Sequence, residues 1–218
     1  MTSPRVQSLR RVGDSALAAE FEPRLDVEIN RAAAALGAAV RAAALHGVRD
    51  VVVTTHAVTA CVDPLAVDWA ALATALETPV DLPPEPPDLE APIVIPVAYG
   101  GAHGPDLDDV ARTCSCRPED VIAWHAARTY RVFMVGFMPG FGYLGIVDER
   151  IRVPRRDAPR VRVPAGTIAI AGALTSIYPG DTPGGWSLIG RTAWRAFDLD
   201  REPPCLLEVG RSVRFEIQ

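Results

Sequence analysis

Apolar positions set out the first part of the chain. Val6 to Leu9 and Ala16 to Phe21 read as two strands flanking Gly13-Asp14, the short-range signature of a hairpin. The spacing then changes to that of a helix. From Asp26, placed to act as N-cap, Ile29, Ala32, Ala33, Leu36, Val40 and Ala44 recur on one stripe, and Gly47 is placed to stop it. Val51 to Val53 and Val58 to Val62 follow as strands, and Val67 to Leu76 as a second helix. Strand pairs alternating with helices predict a small α+β domain, ferredoxin-like in type.

Pro79 to Pro96 holds seven of the 20 prolines and opposes both helix and central strand, so it marks a boundary. The expected division is a domain over residues 1–82, a proline-rich linker over 83–96 and a second domain over 97–218, with Ile93 to Val97 reading as a strand where the two meet. Two short helices are expected at Asp106 to Thr113 and Arg117 to Thr129. Asp106 is a candidate N-cap, and Pro118, Glu119 and Asp120 sit in a first turn where the helix dipole favours them. From Tyr130 onward the apolar runs are short: Arg131 to Val135, Thr167 to Ala171, Trp186 to Ile189, Leu206 to Val209 and Val213 to Ile217. Pro/Gly clusters separate them, the texture of a barrel or sandwich.

At 218 residues and 49% hydrophobic, the chain can bury a sizeable core. Its formal charge of -5 argues against nucleic acid and against anionic membrane surfaces, which both need a positive field. No apolar run is long enough for a membrane helix and the opening residues do not resemble a secretion signal, so a cytoplasmic location is expected. All 22 cationic residues are arginine, which excludes lysine chemistry. Cys61, Cys114, Cys116 and Cys205 show no paired ligand spacing, and no metal site is expected.

Three segments carry candidate chemistry. Gly140-Phe-Gly-Tyr-Leu-Gly145 matches a dinucleotide fingerprint, but no helix follows to receive a pyrophosphate; Phe137, Pro139, Gly140, Phe141 and Tyr143 read instead as a shaped loop, either a ligand or partner surface or a well-packed loop. Six arginines lie between Arg150 and Arg162, and strand alternation would point Arg160 and Arg162 together at one anion. Tyr178 to Trp186 clusters turn formers between two aromatics, and Gly184 and Gly185 could expose consecutive amides as an anion nest. No GxSxG elbow or GxxxxGK[ST] loop occurs. His125 falls on the apolar face of its helix, which favours a core histidine over a catalytic one; it is the single candidate for catalysis.

The motifs Tyr99-Gly-Gly101, Val121-Ile-Ala-Trp-His125, Gly136 to Gly145, Val163-Pro-Ala-Gly166, Ile177-Tyr-Pro179, Pro183-Gly-Gly-Trp186 and Gly190-Arg-Thr192 resemble, in order and spacing, the allophanate hydrolase subunit 1 family. It is also called the KipI family and includes 5-oxoprolinase B subunits. The resemblance implies an N-terminal α+β domain followed by a cyclophilin-like β-barrel. It also implies partner subunits A and C, which with this chain open 5-oxoproline, a small anionic lactam, using ATP with Mg. The implied substrate- or partner-binding residues are those of the Gly136 to Gly145 loop, Arg160, Arg162, Gly166, Tyr178, Gly184, Gly185, Trp186 and Arg191. Phosphorylating the amide oxygen would make an unstrained lactam carbonyl electrophilic, a task for arginines and backbone amides. Other members imply two alternatives, an inhibitor of a sensor histidine kinase and a urea carboxylase-type component.

The chain departs from the family pattern at two amide positions. Leu174 and Ser187 stand where the family carries glutamine, and Ser176 stands where it carries glycine. Losing amides that could hydrogen-bond a substrate bears on which substrate is taken.

Overall fold

The structure is a computed structural model describing residues 4–82 and 91–218. Two compact units divide the chain, 1–89 and 90–218. Most of the expected linker, residues 83–90, lies outside the described residues.

In the first unit, β1 (Ser8–Arg11) and β2 (Ala16–Glu20) form the expected hairpin, followed by α1 (Val27–Ala42), β3 (Val48–Val53), β4 (Ala57–Val62) and α2 (Trp69–Glu77). The sheet order is β1-β2-β4-β3 with antiparallel neighbours throughout. β2, α1 and β3 make a split βαβ unit with β4 inserted, which is the ferredoxin-like arrangement with its chain entered at another strand. Asp26 caps α1 by accepting from the Glu28 and Ile29 amides, and the stripe Ile29, Ala32, Ala33, Leu36, Val40 is buried. Each fully buried Ile, Leu or Val contributes about 1.5–3 kcal/mol. The helix stops earlier than Gly47. Ala44 takes the left-handed conformation (φ 44°) and ends the stripe itself, a role more often given to glycine.

The second unit runs β5 (Ile93–Tyr99), α3 (Leu107–Thr113), α4 (Pro118–Ala126), β6 (Thr129–Val135), β7 (Gly142–Gly145), β8 (Arg160–Val163), β9 (Thr167–Ala171), β10 (Leu174–Ile177), β11 (Thr182–Gly184), β12 (Ser187–Arg191) and β13 (Ser212–Ile217). Seven strands close a barrel in the order β10-β7-β6-β13-β5-β12-β9, while β8 and β11 form a separate two-stranded ribbon. Residues 93–96, assigned to the linker by their prolines, belong to β5. The alternation of Ile93, Ile95 and Val97 prevails because the strand pairs with β13 and sends Ile95 and Val97 into the core.

Strand β9 shows how the barrel serves both of its faces. Ile168 and Ile170 point into the main core, and Ala169 and Ala171 point outward into a second, smaller cluster with Phe141, Val163, Tyr178, Trp186 and Leu188. Leu206 to Val209 is not a strand. It belongs to a long irregular segment whose Leu207 is buried against Gly142 and whose backbone is gathered by Arg201, which donates to the carbonyls of Arg195, Ala196, Pro203 and Pro204. Strands β7 (Gly-Tyr-Leu-Gly) and β11 (Thr-Pro-Gly) arise where glycine- and proline-rich sequence reads as loop, and β10 is a further strand outside the expected apolar runs.

Candidate functional site

The small outward residues of β9 leave room outside the barrel wall. A cavity of about 570 Å³ opens there, bounded by Phe137, Phe141, Tyr143, Leu174, Tyr178 and Trp186, with Pro154, Arg155, Pro159, Ala171, Gly172 and the Pro183–Gly185 segment completing it. Phe141 is the hub of its aromatic wall. The ring meets Phe137, Tyr143, Tyr178 and Trp186 edge-on at centroid distances of 5.3, 5.0, 5.2 and 5.8 Å. Such pairs add about 0.5–1.5 kcal/mol each beyond their buried area, so the wall is stiff. Phe137 stands at the rim, 62% exposed and at a positive φ of 71°.

Two glycines make this packing possible. A Cβ at Gly140 would lie 2.6 Å from that of Phe197 and at φ +81°, and one at Gly184 would lie 2.4 Å from the Tyr178 hydroxyl oxygen. The Gly140 to Gly145 fingerprint is thus a loop and strand packed from behind, without a helix. Neither Gly184 nor Gly185 takes a positive φ; Gly184 pairs with Arg160 in the ribbon, and the expected anion nest is not formed.

The arginine run divides by partner. Arg150 pairs with Asp148, Arg152 donates to the Val147 carbonyl, Arg156 and Arg160 share Asp106, and Arg162 pairs with Asp181. Arg160 and Arg162 therefore do not converge on one anion as alternation suggested, because each already faces its own carboxylate. Arg155 has no carboxylate partner among the described residues and is the single charged side chain lining the cavity. Burial pushes the Tyr143 and Tyr178 phenols above their ordinary values, and the nearby positive charge of Arg155 pulls both back.

Asp106 has a larger part than that of an N-cap. Its carboxylate makes no capping bond to α3; it is buried and accepts from Arg160 at 2.5 Å, Arg156 at 3.2 Å and the Leu188 amide at 2.8 Å. The Asp106 amide in turn donates to the Leu188 carbonyl. The last two bonds satisfy β12 where its register with β9 shifts. Arg155 is adjacent in sequence to Arg156, so this one carboxylate anchors the segment that carries the cavity's cation.

His125 lies inside the barrel and away from the cavity. It is fully buried, with Nδ1 2.7 Å from the Tyr99 hydroxyl and Nε2 2.9 Å from Thr175 Oγ1, and its ring stacks on Phe215 at 4.7 Å. Thr175 donates to the Ala169 carbonyl, so it accepts from Nε2–H, and Tyr99 donates to Nδ1. Burial lowers the pKa to about 3, which keeps the ring neutral. With both nitrogens engaged and no path to ligand, His125 is the core histidine.

Gly166 and Arg191 line a different cavity, about 630 Å³, which shares Tyr178 with the first. Its arginines are engaged: Arg191 donates to the Ala165 carbonyl and Arg195 pairs with Asp198. Pro139, Gly140, Arg160 and Arg162 line neither cavity. Leu174 lines the aromatic one, whereas Ser187 lines neither and Ser176 spends its hydroxyl on the Gly142 carbonyl at 2.7 Å. Sequence reasoning missed Arg155. Its place in the arginine run was visible, but Asp157 two residues on and Arg156 beside it left nothing in the sequence to single it out.

Comparison with known proteins agrees with this architecture. The curated relative named as the B subunit of 5-oxoprolinase from Escherichia coli O157:H7 is 50% identical over 123 residues, 56% of this chain and 56% of its own length, and the protein of the same name from Bacillus subtilis (strain 168) is 48% identical over 123 residues, 56% and 51%. The match thus spans about half the length of these relatives. Among solved structures, TTHA0988 superposes with a TM-score of 0.83 at 34% identity, over 97% of this chain and 41% of that one. Kluyveromyces lactis urea amidolyase shares the fold, with a TM-score of 0.79 at 18% identity over 99% of this chain and 15% of its own. The motifs' resemblance is borne out. Residues 7–207 match the model of the carboxyltransferase domain, subdomain C and D, and the chain belongs to that family.

Proposed function

We propose that this chain is the B component of an ATP-dependent 5-oxoprolinase, working with subunits A and C to open 5-oxoproline to glutamate, and inactive alone. The observation that carries the proposal is the 48–50% identity to proteins named as B subunits of 5-oxoprolinase. The aromatic cavity supports it chemically. A small planar lactam fits between edge-packed rings, and one guanidinium without a competing carboxylate suits an anionic substituent.

The cavity's lining offers no His, Cys, Ser, Asp or Glu to act as nucleophile or base, so in this reading the chain binds and orients while its partners complete the chemistry. Nor does that lining contain a carboxylate to bind Mg²⁺, and no group of three or more His, Cys, Asp or Glu among the described residues could hold a metal ion. ATP and its metal are therefore assigned, in this proposal, to residues of the partner subunits. Among the described residues no helix is long and apolar enough to cross a membrane, which fits a cytoplasmic assembly.

The test is 5-oxoproline-dependent ATP hydrolysis by the three subunits mixed, with each omitted in turn. Activity in the full mixture alone supports the proposal. Silence from an assembled complex overturns it and turns attention to another lactam or amide, with Leu174 the first position to examine.

A further inference from the structure

We infer that Arg155 is the specificity residue of the aromatic cavity, selecting a ligand that carries a carboxylate beside its planar ring. The inference rests on the functional reading above for the identity of the ring and on the structure for the residue. Six arginines lie between Arg150 and Arg162, and five are engaged by Asp148, the Val147 carbonyl, Asp106 or Asp181. Arg155 alone has no carboxylate and no carbonyl acceptor among the described residues, and it alone of the five cationic side chains from Arg152 to Arg162 lines the cavity.

The surroundings favour an incoming anion. No Asp or Glu lines the cavity to neutralise the guanidinium, and the Tyr143 and Tyr178 rings stand on the same wall, with hydroxyls close enough to feel the Arg155 charge. Phe141 and Trp186 supply the apolar faces against which a flat ring can lie, and Asp106 holds the neighbouring Arg156, so the Arg155 backbone is anchored. A guanidinium fork and phenolic O–H groups recognise the carboxylate, while edge-packed aromatics recognise the ring. The charged hydrogen bonds carry the discrimination, worth about 10- to 100-fold between a charged and an uncharged form of one ring.

Calorimetric titration of the full chain, alone and assembled with its partner subunits, would compare 5-oxoproline with 2-pyrrolidinone, the same ring without a carboxylate. Wild type should favour the acid, and Arg155→Met should erase that preference while leaving 2-pyrrolidinone binding and thermal stability unchanged. Arg155→Lys should retain part of it, since charge persists but the fork is lost. Equal weakening of both ligands by Arg155→Met, no weakening of either, or no preference for the acid in wild type alone or assembled would overturn the inference. Failure of the functional reading looks different. A wild-type mixture that binds the acid through Arg155 yet hydrolyses no ATP would remove the 5-oxoprolinase assignment and leave the carboxylate subsite standing.

Discussion

Replacing Asp106 with asparagine should destabilise the barrel unit far more than loss of a helix cap would. The carboxylate is buried and accepts from two guanidinium groups and one strand amide. Breaking one side of a buried pair costs about 3–5 kcal/mol because the surviving charge is left without its counter-ion. Here the two guanidiniums retain 27% and 39% exposure, so water recovers part of that cost and about 2–3 kcal/mol is expected. Arg160 makes recovery harder, since its Nη1 is buried with no acceptor even in the native arrangement. For a unit of this size the loss corresponds to about 5–10 °C in midpoint. The assay is denaturant unfolding followed by tryptophan fluorescence in a Trp69→Phe background, which leaves Trp124, Trp186 and Trp194, all in residues 90–218. Pairing with Arg160→Met separates the mechanisms. A charge clamp predicts that the second substitution rescues part of the loss, whereas a capping role predicts about 1 kcal/mol irrespective of Arg160. A loss below about 0.5 kcal/mol, or strict additivity with Arg160→Met, would refute the clamp.

Three further outcomes follow from the same geometry. His125 is held neutral, with its folded pKa near 3 against 6.5 in the unfolded chain, so between those values the unfolded state binds a proton that the folded state refuses. Stability should therefore fall as pH drops below about 6.5, by up to about 1.4 kcal/mol per pH unit, and His125→Gln should flatten that slope in midpoints measured from pH 7 to 5; equal slopes would contradict it. Gly184→Ala should cost about 1–3 kcal/mol and displace the Tyr178 ring, visible in its NMR shifts, because the new methyl would lie 2.4 Å from the phenol oxygen. Arg162→Ala breaks a pair whose partners are 75% and 44% exposed, so a loss under about 1 kcal/mol and unchanged ligand binding are expected; a loss above about 2 kcal/mol would show that the ribbon relies on it.

Much of the fold was legible where the chain obeys a single period. Asp26, Ile29, Ala32, Leu36 and Val40 announce α1 because one face alone is buried, and Ile168 and Ile170 announce β9 by their β-branched side chains. Legibility fails where a backbone group is satisfied from far away in sequence. Asp106 reads locally as a cap, yet it serves Leu188 and Arg160, 82 and 54 residues distant. Strand β11, Thr-Pro-Gly, reads as a turn because its register comes from β8 and its glycine is demanded by Tyr178. The site was half legible for the same reason. The aromatics of the Gly136 to Gly145 and Tyr178 to Trp186 segments could be named from composition, but which arginine faces them depends on where Asp106, Asp148 and Asp181 lie in space.

The barrel's size explains why the aromatic cavity lies outside it. Eight strands give an interior just wide enough to be filled by side chains, and seven give less. Tyr130, Phe215, Ile95, Ile168 and the neutral His125 occupy that interior completely enough to be fully or nearly fully buried. Room for a cavity is then left on the outer wall, which a barrel ordinarily gives to solvent. Here Ala169 and Ala171 keep the wall low, the β8–β11 ribbon stands over it, and Phe141 and Trp186 fill the space between except where the cavity remains. A larger residue at Ala171, which lines the cavity, would therefore narrow it without touching the barrel core, whereas Ala169 is fully buried beneath the outer cluster. Ala171, at the cavity's edge and only 7% exposed, is the position where that separation of stability from binding should be cleanest.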